Sequence, residues 1–142
     1  MASILKVDTL TGVTTAGSIS VTGEGNSTTT NLQQGLAKAW VNNKQHSGNS
    51  TRDSLNIASV TDHATGDFET NFTSSMSNTD YCFNSSGQRG DNANEDFNIS
   101  GYTATYTDAF KTGSTRLVSY HASSANQTDG LANCVSWLGD LA

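Results

Sequence analysis

The sequence contains no proline, and charged residues make up only 14% of its 142 residues, against about 25% in typical soluble domains. Serine, threonine, asparagine and glycine occupy much of the space that lysine and glutamate usually take. This composition argues against a helical domain, which would be rich in Ala, Leu, Glu and Lys. It favours β-strands joined by tight turns. Because aliphatic and aromatic residues recur throughout residues 55–141, the composition also excludes an intrinsically disordered chain.

Basic residues are scarce as well. The chain has seven Lys and Arg against 13 Asp and Glu, which leaves a formal net charge of −6. Proteins that neutralise phosphate groups carry a basic stripe or patch, and the sequence has no such cluster. The charge balance therefore excludes nucleic acid as the partner, and it also disfavours binding to an anionic membrane surface.

Long apolar runs are missing too. The sequence has no run of 18 apolar residues, so it predicts no transmembrane helix. The first residues lack the basic region and apolar core of a secretory signal, so we expect the protein to be assembled in a cytoplasm. A reducing compartment favours buried free thiols for the two cysteines, Cys82 and Cys134. Their even number leaves a disulfide open as the alternative.

Small side chains dominate residues 1–40, where small apolar and small polar residues alternate and glycine recurs. The alternation predicts strands over Ser3–Leu10 and Ser18–Thr22, followed by a turn at Gly23–Asn26. Such a segment cannot bury enough apolar surface to offset the cost of ordering it. We therefore interpret residues 1–39 as an attachment and oligomerisation arm, which folds against copies of itself or against a larger assembly.

A short helix is predicted at the end of this arm, over Leu32–Trp40, with candidate N-cap residues in Thr28–Asn31. Leu32, Leu36 and Ala39 follow one another at helical spacing. An isolated helix of this length is unstable in water, so its apolar stripe must pack either at a symmetry axis or on the rest of the chain. The candidate oligomerisation and attachment residues are Ile4, Leu5, Val7, Leu10, Ile19, Val21, Leu32, Leu36 and Trp40.

Residues 40–142 show a different pattern, of short strands separated by turns that contain Gly and Asn. Asp53–Thr61 predicts a strand with a β-bulge at Ala58–Ser59, and Asp62–Asp67 predicts a hairpin turn. Val41–Thr51 is either a loop or an exposed strand. The pattern is typical of an antiparallel β-sandwich. The other predicted strands are Phe68–Phe72, Tyr81–Phe83, Phe97–Gly101, Thr103–Tyr106, Thr115–Ala122 and Cys134–Leu138.

Three blocks carry a resemblance: ILKVDTLTGVTTAGSISVTGEG at 4–25, TTTNLQQGLAKAW at 28–40 and DSLNIASVTDHATGDFETNFTSSMSNTDY at 53–81. In the same order, these blocks are similar to those of small tail-fibre-like structural proteins of marine tailed phages, of the cyanophage and pelagiphage type. The Ser59–Asp67 turn is also similar to the ends of other phage fibres. The resemblance implies a homotrimeric virion component with no active site and no cofactor. Its N-terminal segment would dock on the particle, and its β-sandwich would face outward.

Two segments offer residue types that can carry chemistry. His63 lies in a predicted turn beside Asp62 and near Asp67, and residues 91–96 offer oxygen ligands of the type that Ca²⁺ prefers. No GxSxG, HExxH, CxxC or EF-hand pattern accompanies them. We therefore interpret both as solvated polar segments, and we predict no catalytic residue and no metal or cofactor site.

Aromatic residues of the second half fit two interpretations. Exposed tyrosines beside Asn and Ser are typical of recognition surfaces, including those that bind sugars. Tyr102, Tyr106, Asn92 and Asn94 form the candidate recognition surface, and the two tyrosines fit the sandwich core equally well. The residues expected in the core are Phe68, Phe72 and Trp137.

These observations predict a non-enzymatic viral structural protein, located in the virion and assembled in the host bacterial cytoplasm. The favoured role is a tail fibre or adhesion tip. In that role a homotrimer contacts other virion proteins through the arm and displays its sandwich to a host-surface glycan or protein. The alternative is a capsid decoration or cement protein bound to the shell lattice. A third hypothesis, a polysaccharide depolymerase, needs a pair of carboxylates in a groove, and no spacing in the sequence indicates one.

Overall fold

A computed structural model describes residues 5–12, 19–22, 29–32, 35–89, 97–102, 109–121, 124 and 126–142. Two compact units make up the chain, Met1–Leu36 and Ala37–Ala142. Antiparallel β-structure is the regular structure of both units, so the predicted mainly β class is confirmed. The described residues include no helix that is long and apolar enough to cross a membrane.

The N-terminal unit contains one small β-ribbon. Strand β1 (Ser20–Thr22) pairs antiparallel with β2 (Thr29–Asn31), and the Leu32 amide donates to the Ile19 carbonyl at 2.9 Å. The strand predicted over Ser18–Thr22 is therefore confirmed in its described part. The strand predicted over Ser3–Leu10 is wrong for residues 5–10, which have no regular structure. An alternating pattern alone is not sufficient, because a strand also needs a neighbour to accept its backbone hydrogen bonds.

The helix predicted over Leu32–Trp40 is wrong. Its described residues form turns and bends up to Lys38, and β3 (Ala39–Lys44) begins where the helix would end. The Lys38 amide donates to the carbonyl of Trp137 at 2.8 Å. Pairing on both sides of β3, with a buried alternate face, outweighs the weak helical preference of these residues.

The second unit consists of two four-stranded antiparallel sheets. The first sheet has the order β4-β3-β10-β7, and the second sheet has the order β5-β6-β9-β8. Both sheets contribute to one buried core, an arrangement that is consistent with a β-sandwich. The remaining strands are β4 (Ser50–Leu55), β5 (Ile57–Ala64), β6 (Asp67–Phe72), β7 (Cys82–Arg89), β8 (Phe97–Gly101), β9 (Ser114–His121) and β10 (Gly130–Leu138).

Several predicted strands of this unit are confirmed, with longer bounds than expected at β7 and β10. The predicted segment Val41–Thr51 contains most of β3, whose alternate residues are buried, so the loop and exposed-strand alternatives are both wrong there. The strand predicted over Thr103–Tyr106 lies outside the described residues.

The core lies between the two sheets and is centred on aromatic side chains. Phe68, Phe72 and Trp137 are all buried, as expected. The Phe72 ring meets the rings of Tyr81 and Trp137 edge to face, with centroids 6.0 and 5.4 Å apart. Such pairs add to the free energy that burial of the rings supplies. The other buried members are Ala39, Val41, Met76, Ile99, Leu117 and Val135.

A sharp corner at Asn56 carries the chain from one sheet to the other. Its φ of 57° is left-handed, a conformation that Asn tolerates better than most residues. Its side-chain amide donates to the Lys38 and Ser74 carbonyls at 3.1 and 3.0 Å, and its side-chain oxygen accepts from the Ser74 amide at 2.7 Å. The single strand predicted over Asp53–Thr61 is therefore two strands in different sheets.

The β5–β6 hairpin follows the sequence prediction closely. Its register shifts between Ile57 and Ser59, which confirms the predicted bulge. The turn predicted over Asp62–Asp67 is confirmed only at Thr65–Gly66, where Gly66 adopts a φ of 69°. The rest of the predicted turn belongs to β5 and β6.

Candidate functional site

The predicted attachment residues of the N-terminal unit are mostly in solvent. Five large apolar side chains in the described part of this unit are exposed, whereas those in the described part of the second unit are Leu55 and Leu141. The described residues of this unit therefore bury little apolar surface of their own. The five and their exposed fractions are Leu5 (81%), Val7 (55%), Leu10 (55%), Val21 (52%) and Leu36 (53%).

The other predicted attachment residues have different positions. Ile19 and Leu32 are half-buried beside the β1–β2 ribbon, and Ile4 lies outside the described residues. Trp40 belongs to β3 of the second unit rather than to the arm. Trp40 is therefore a residue of the sandwich and not of the attachment segment.

The predicted recognition surface is described only at Tyr102, because Tyr106, Asn92 and Asn94 lie outside the described residues. Tyr102 is half-buried on the second sheet, with the Arg116 guanidinium carbon 4.1 Å from its ring centroid. This stacking is a cation–π contact.

Arg116 also forms a bidentate ion pair with Asp67. Its Nε donates to Oδ1 at 2.9 Å and its Nη2 donates to Oδ2 at 2.6 Å. The hydrogen bond to the Asp67 carboxylate raises the pKa of Arg116 further above its usual value. Since both carboxylate oxygens of Asp67 bind Arg116, this carboxylate orients the arginine over Tyr102.

Glu69 contacts three side chains on the same face of the second sheet. Its carboxylate accepts from the Ser114 hydroxyl at 2.7 Å, lies 3.2 Å from His63 Nε2 and lies 3.5 Å from Lys111 Nζ. His63 is thus a strand residue paired with Glu69, and its predicted position in a turn is wrong. The Ser114 hydroxyl donates its proton to the Glu69 carboxylate. In a catalytic triad the serine donates this proton to an imidazole, so Ser114, His63 and Glu69 do not have the arrangement of a triad.

This cluster predicts a pH-dependent stability. The hydrogen bond from Ser114, with smaller effects of His63 and Lys111, holds the pKa of Glu69 below its usual value of 4.5 although burial opposes this. A carboxylate with a depressed folded-state pKa stabilises the fold above its unfolded-state pKa. That stabilisation is lost as the pH falls below about 4.5 and through the folded-state pKa.

We expect Glu69→Gln to remove part of this acid dependence. The measurement is the thermal unfolding midpoint between pH 6 and pH 3, and the difference between wild type and Glu69→Gln should shrink as the pH falls. Asp80→Asn is the control, because Asp80 is exposed in a loop. A wild-type advantage that stays constant over this range would contradict the assignment.

A buried polar cluster ties the two sheets together at one end. The Gln45 side-chain oxygen accepts from Asn133 Nδ2 at 2.8 Å, and the nearby Ser119 hydroxyl donates to the Thr128 carbonyl at 2.8 Å. Gln45 Nε2 donates to Asp62 Oδ1 at 3.3 Å. Asn133 lies in the first sheet and Asp62 in the second, so the Gln45 amide links the two sheets. The polar sequence around Gln45 gave no sign that this side chain is buried.

Three neighbouring strands of the first sheet form a groove on its outer face, with a volume of about 430 Å³. Strand β10 lies in the middle and contributes small side chains, whereas β3 contributes the half-buried indole of Trp40. We call this feature the Trp40 groove. Two rows of residues in cross-strand register line it: Trp40, Ser136 and Asn84, and then Asn42, Cys134 and Ser86.

The Trp40 groove carries no charged lining residue. Its Asn42 side-chain oxygen is buried and has no hydrogen-bond partner. Cys134 in its floor is a half-buried free thiol, and Cys82 at the start of β7 is an exposed free thiol. The expectation of free thiols is confirmed, whereas the expected burial of Cys82 is wrong because its side chain lies on the exposed outer face of β7 with Asn84 and Ser86.

Comparison of the chain with protein-family models, with curated proteins and with solved structures finds no match. Among the described residues, no group of three or more His, Cys, Asp and Glu side chains could hold a metal ion. The acidic segment 91–96 lies outside the described residues. The features that bear on function are the exposed apolar residues of the N-terminal unit and the surface of the sandwich.

Proposed function

We propose that this chain is a structural protein of a phage virion, a tail fibre or adhesion tip. In this proposal the N-terminal unit attaches to the particle, and a homotrimer displays its β-sandwiches to the host surface. The observation that carries the proposal is the contrast between the described parts of the two units: the first exposes five large apolar side chains, and the second buries its own core. The resemblance of residues 4–81 to tail-fibre-like phage proteins supports the same role.

The exposed arm supports assembly on physical grounds. Full burial of a Val or Leu side chain contributes about 1.5–3 kcal/mol, and five such side chains are exposed in the N-terminal unit. A two-stranded ribbon such as β1–β2 is marginally stable alone. Packing against other copies covers this surface and the free strand edges together, and closed symmetry leaves no edge for further addition.

The sandwich supports the display role. It has its own aromatic core and a polar contact between its sheets, so we expect it to fold without the arm. Its low charge and its Ser- and Asn-rich strands suit an outward surface that is solvated without strong charge. The proposal assigns no catalytic reaction to the chain.

Deletion of residues 1–36 tests the proposal. The deletion ends there because Lys38 and Ala39 are held against β10. We expect the full-length chain to have the native mass of three chains by light scattering, and the truncated chain to be a folded monomer that no longer enters particles. A monomeric full-length chain, or normal incorporation of the truncated chain, would overturn the proposal.

Point variants give a matched comparison for the same test. Replacing Leu5, Val7 and Leu10 together with serine should weaken trimer formation and incorporation. Replacing the exposed Leu55 and Leu141 of the second unit with serine should leave both unchanged. The number of copies per particle separates the two virion locations: a few trimers indicate a tail fibre, and one per lattice site indicates the capsid decoration role.

A further inference from the structure

The Trp40 groove has the build of a ligand site. In the first sheet, Trp40 on β3 is in register with Ser136 on β10, and Ser136 is in register with Asn84 on β7. The flat indole of Trp40, the small Ser136 side chain and the Asn84 amide thus form one row across the sheet. Its volume of about 430 Å³ is within the range of about 300–1,000 Å³ that is typical of small-molecule pockets.

The polar atoms around the groove are hydroxyls and amides. Asn42, Asn84, Ser86 and Ser136 line it, and together they supply both donors and acceptors. The Asn42 side-chain oxygen has no partner within the protein. This oxygen is buried, and rotation about the terminal amide torsion of Asn42, which is soft, would turn it toward the groove to bond to a ligand hydroxyl.

The charged residues in and near the groove indicate which class of ligand it can bind. No charged side chain lines the groove, so a phosphate or carboxylate would find no cation there. Asp53 on the adjacent strand is in register with Asn42, and the net charge of −6 further disfavours an acidic ligand. An extended peptide that adds to this sheet would pair along an edge strand, β4 or β7, and not with the inner strands β3 and β10, so it would leave Trp40 without a partner. A neutral, hydroxyl-rich molecule with one apolar face fits these constraints.

We propose that the Trp40 groove binds a neutral oligosaccharide, with one sugar ring stacked on the Trp40 indole. The hydroxyl groups of the sugar bond to the side chains of Asn42, Asn84 and Ser136. An indole offers a flat apolar face to the C–H groups of a sugar, and the surrounding amides and hydroxyls orient its O–H groups. This inference rests on the proposed adhesion role for the source of the sugar, which is the host surface.

The test uses the full-length protein and a panel of neutral hexasaccharides of glucose, mannose, galactose and xylose, with an acidic oligogalacturonate as the charge control. Binding is followed by tryptophan fluorescence. It is followed independently by the rate at which Cys134 is alkylated in a Cys82→Ser background, because Cys134 lies in the groove floor. We expect a neutral member of the panel to change the fluorescence and to slow alkylation, and we expect no effect of oligogalacturonate.

Variants assign the binding to the groove. Trp40→Ala should weaken binding at least about tenfold, and Trp40→Phe should retain most of it because the aromatic face remains. Ser136→Leu, which fills the floor and leaves Trp40 intact, should abolish binding and keeps the test valid if Trp40→Ala does not fold. Tyr102→Ala, on the other sheet, is the matched control and should bind normally.

The oligosaccharide site and the virion role would be overturned by different results. No response to any neutral sugar, or full binding by Ser136→Leu, would overturn the oligosaccharide site. Incorporation of Trp40→Ala into particles at the normal copy number is expected in either case, because the arm carries attachment. Sugar binding by a protein that never enters virions would overturn the virion role and leave the groove assignment standing.

Discussion

Replacing Phe72 with alanine is expected to lower the free energy of unfolding of the sandwich by about 3–5 kcal/mol. Phe72 is 7% exposed, and its ring contacts Tyr81 and Trp137 edge to face. The substitution removes the apolar area of the ring and leaves a cavity between two large rings that cannot easily close. A loss of this size is a large share of the total stability of a domain, which is about 5–15 kcal/mol.

The measurement for this prediction is equilibrium unfolding in urea of the chain that lacks residues 1–36. Leu55→Ala is the control, since Leu55 is an exposed side chain on the edge strand β4, and it should cost less than about 1 kcal/mol. Similar losses for the two variants would mean that Phe72 does not pack between the sheets.

Replacing Gly66 with alanine is expected to cost about 4 kcal/mol, near the upper limit for a single substitution. Gly66 has a φ of 69° in the β5–β6 turn, where a side chain is strained. A Cβ at this position would also overlap the carbonyl oxygen of Ser119 and lie 2.6 Å from the Thr128 amide nitrogen. Both neighbours are backbone atoms, so neither can move aside by changing a rotamer.

Gly48→Ala separates the two effects at Gly66. Gly48 also has a positive φ, of 112°, but a Cβ there would meet nothing within 4 Å. This variant should therefore lose only the conformational part, about 1–3 kcal/mol. The measurement is the difference in unfolding free energy between the two variants, and equal losses would show that the clash at Gly66 is relieved.

The β5–β6 hairpin could be predicted from sequence because its signals are local. A slip in the alternation placed the bulge at Ala58–Ser59, and a late glycine placed the turn at Gly66. The alternation of Phe68, Thr70 and Phe72 identified the buried face of β6. Each of these signals depends on neighbours along the chain, and a local pattern was therefore sufficient.

The secondary-structure predictions that were wrong share a different cause. Ala39 and Trp40 were assigned to a helix because of spacing with Leu36, yet they belong to a strand that pairs with β4 and with the distant β10. The Ser3–Leu10 pattern is equally local, and residues 5–10 have no strand partner. Secondary structure at such positions depends on partners that are far away in the sequence.

The candidate groove was also beyond sequence reasoning. Trp40 was predicted to be an attachment residue at the end of a helix, and Ser136 and Asn84 had no feature that marked them. Their strands become neighbours only when β10 pairs between β3 and β7. Trp40 and Asn42 alternate with buried residues along β3 and therefore share its outer face. This alternation was the only sign of the groove in the sequence, and it could be recognised only after the buried face of β3 was known.

By itself, the sequence determined the β-rich class, the polar and weakly charged surface, the aromatic core residues and the β5–β6 hairpin. These properties follow from composition and from the two-residue period of a strand, which act over a few residues. Only the tertiary structure decided that residues 39–44 are an inner strand, that Gln45 is buried and that Trp40 lines a groove. These outcomes depend on non-local strand pairing, because the pairing partner determines which side chains meet across a sheet.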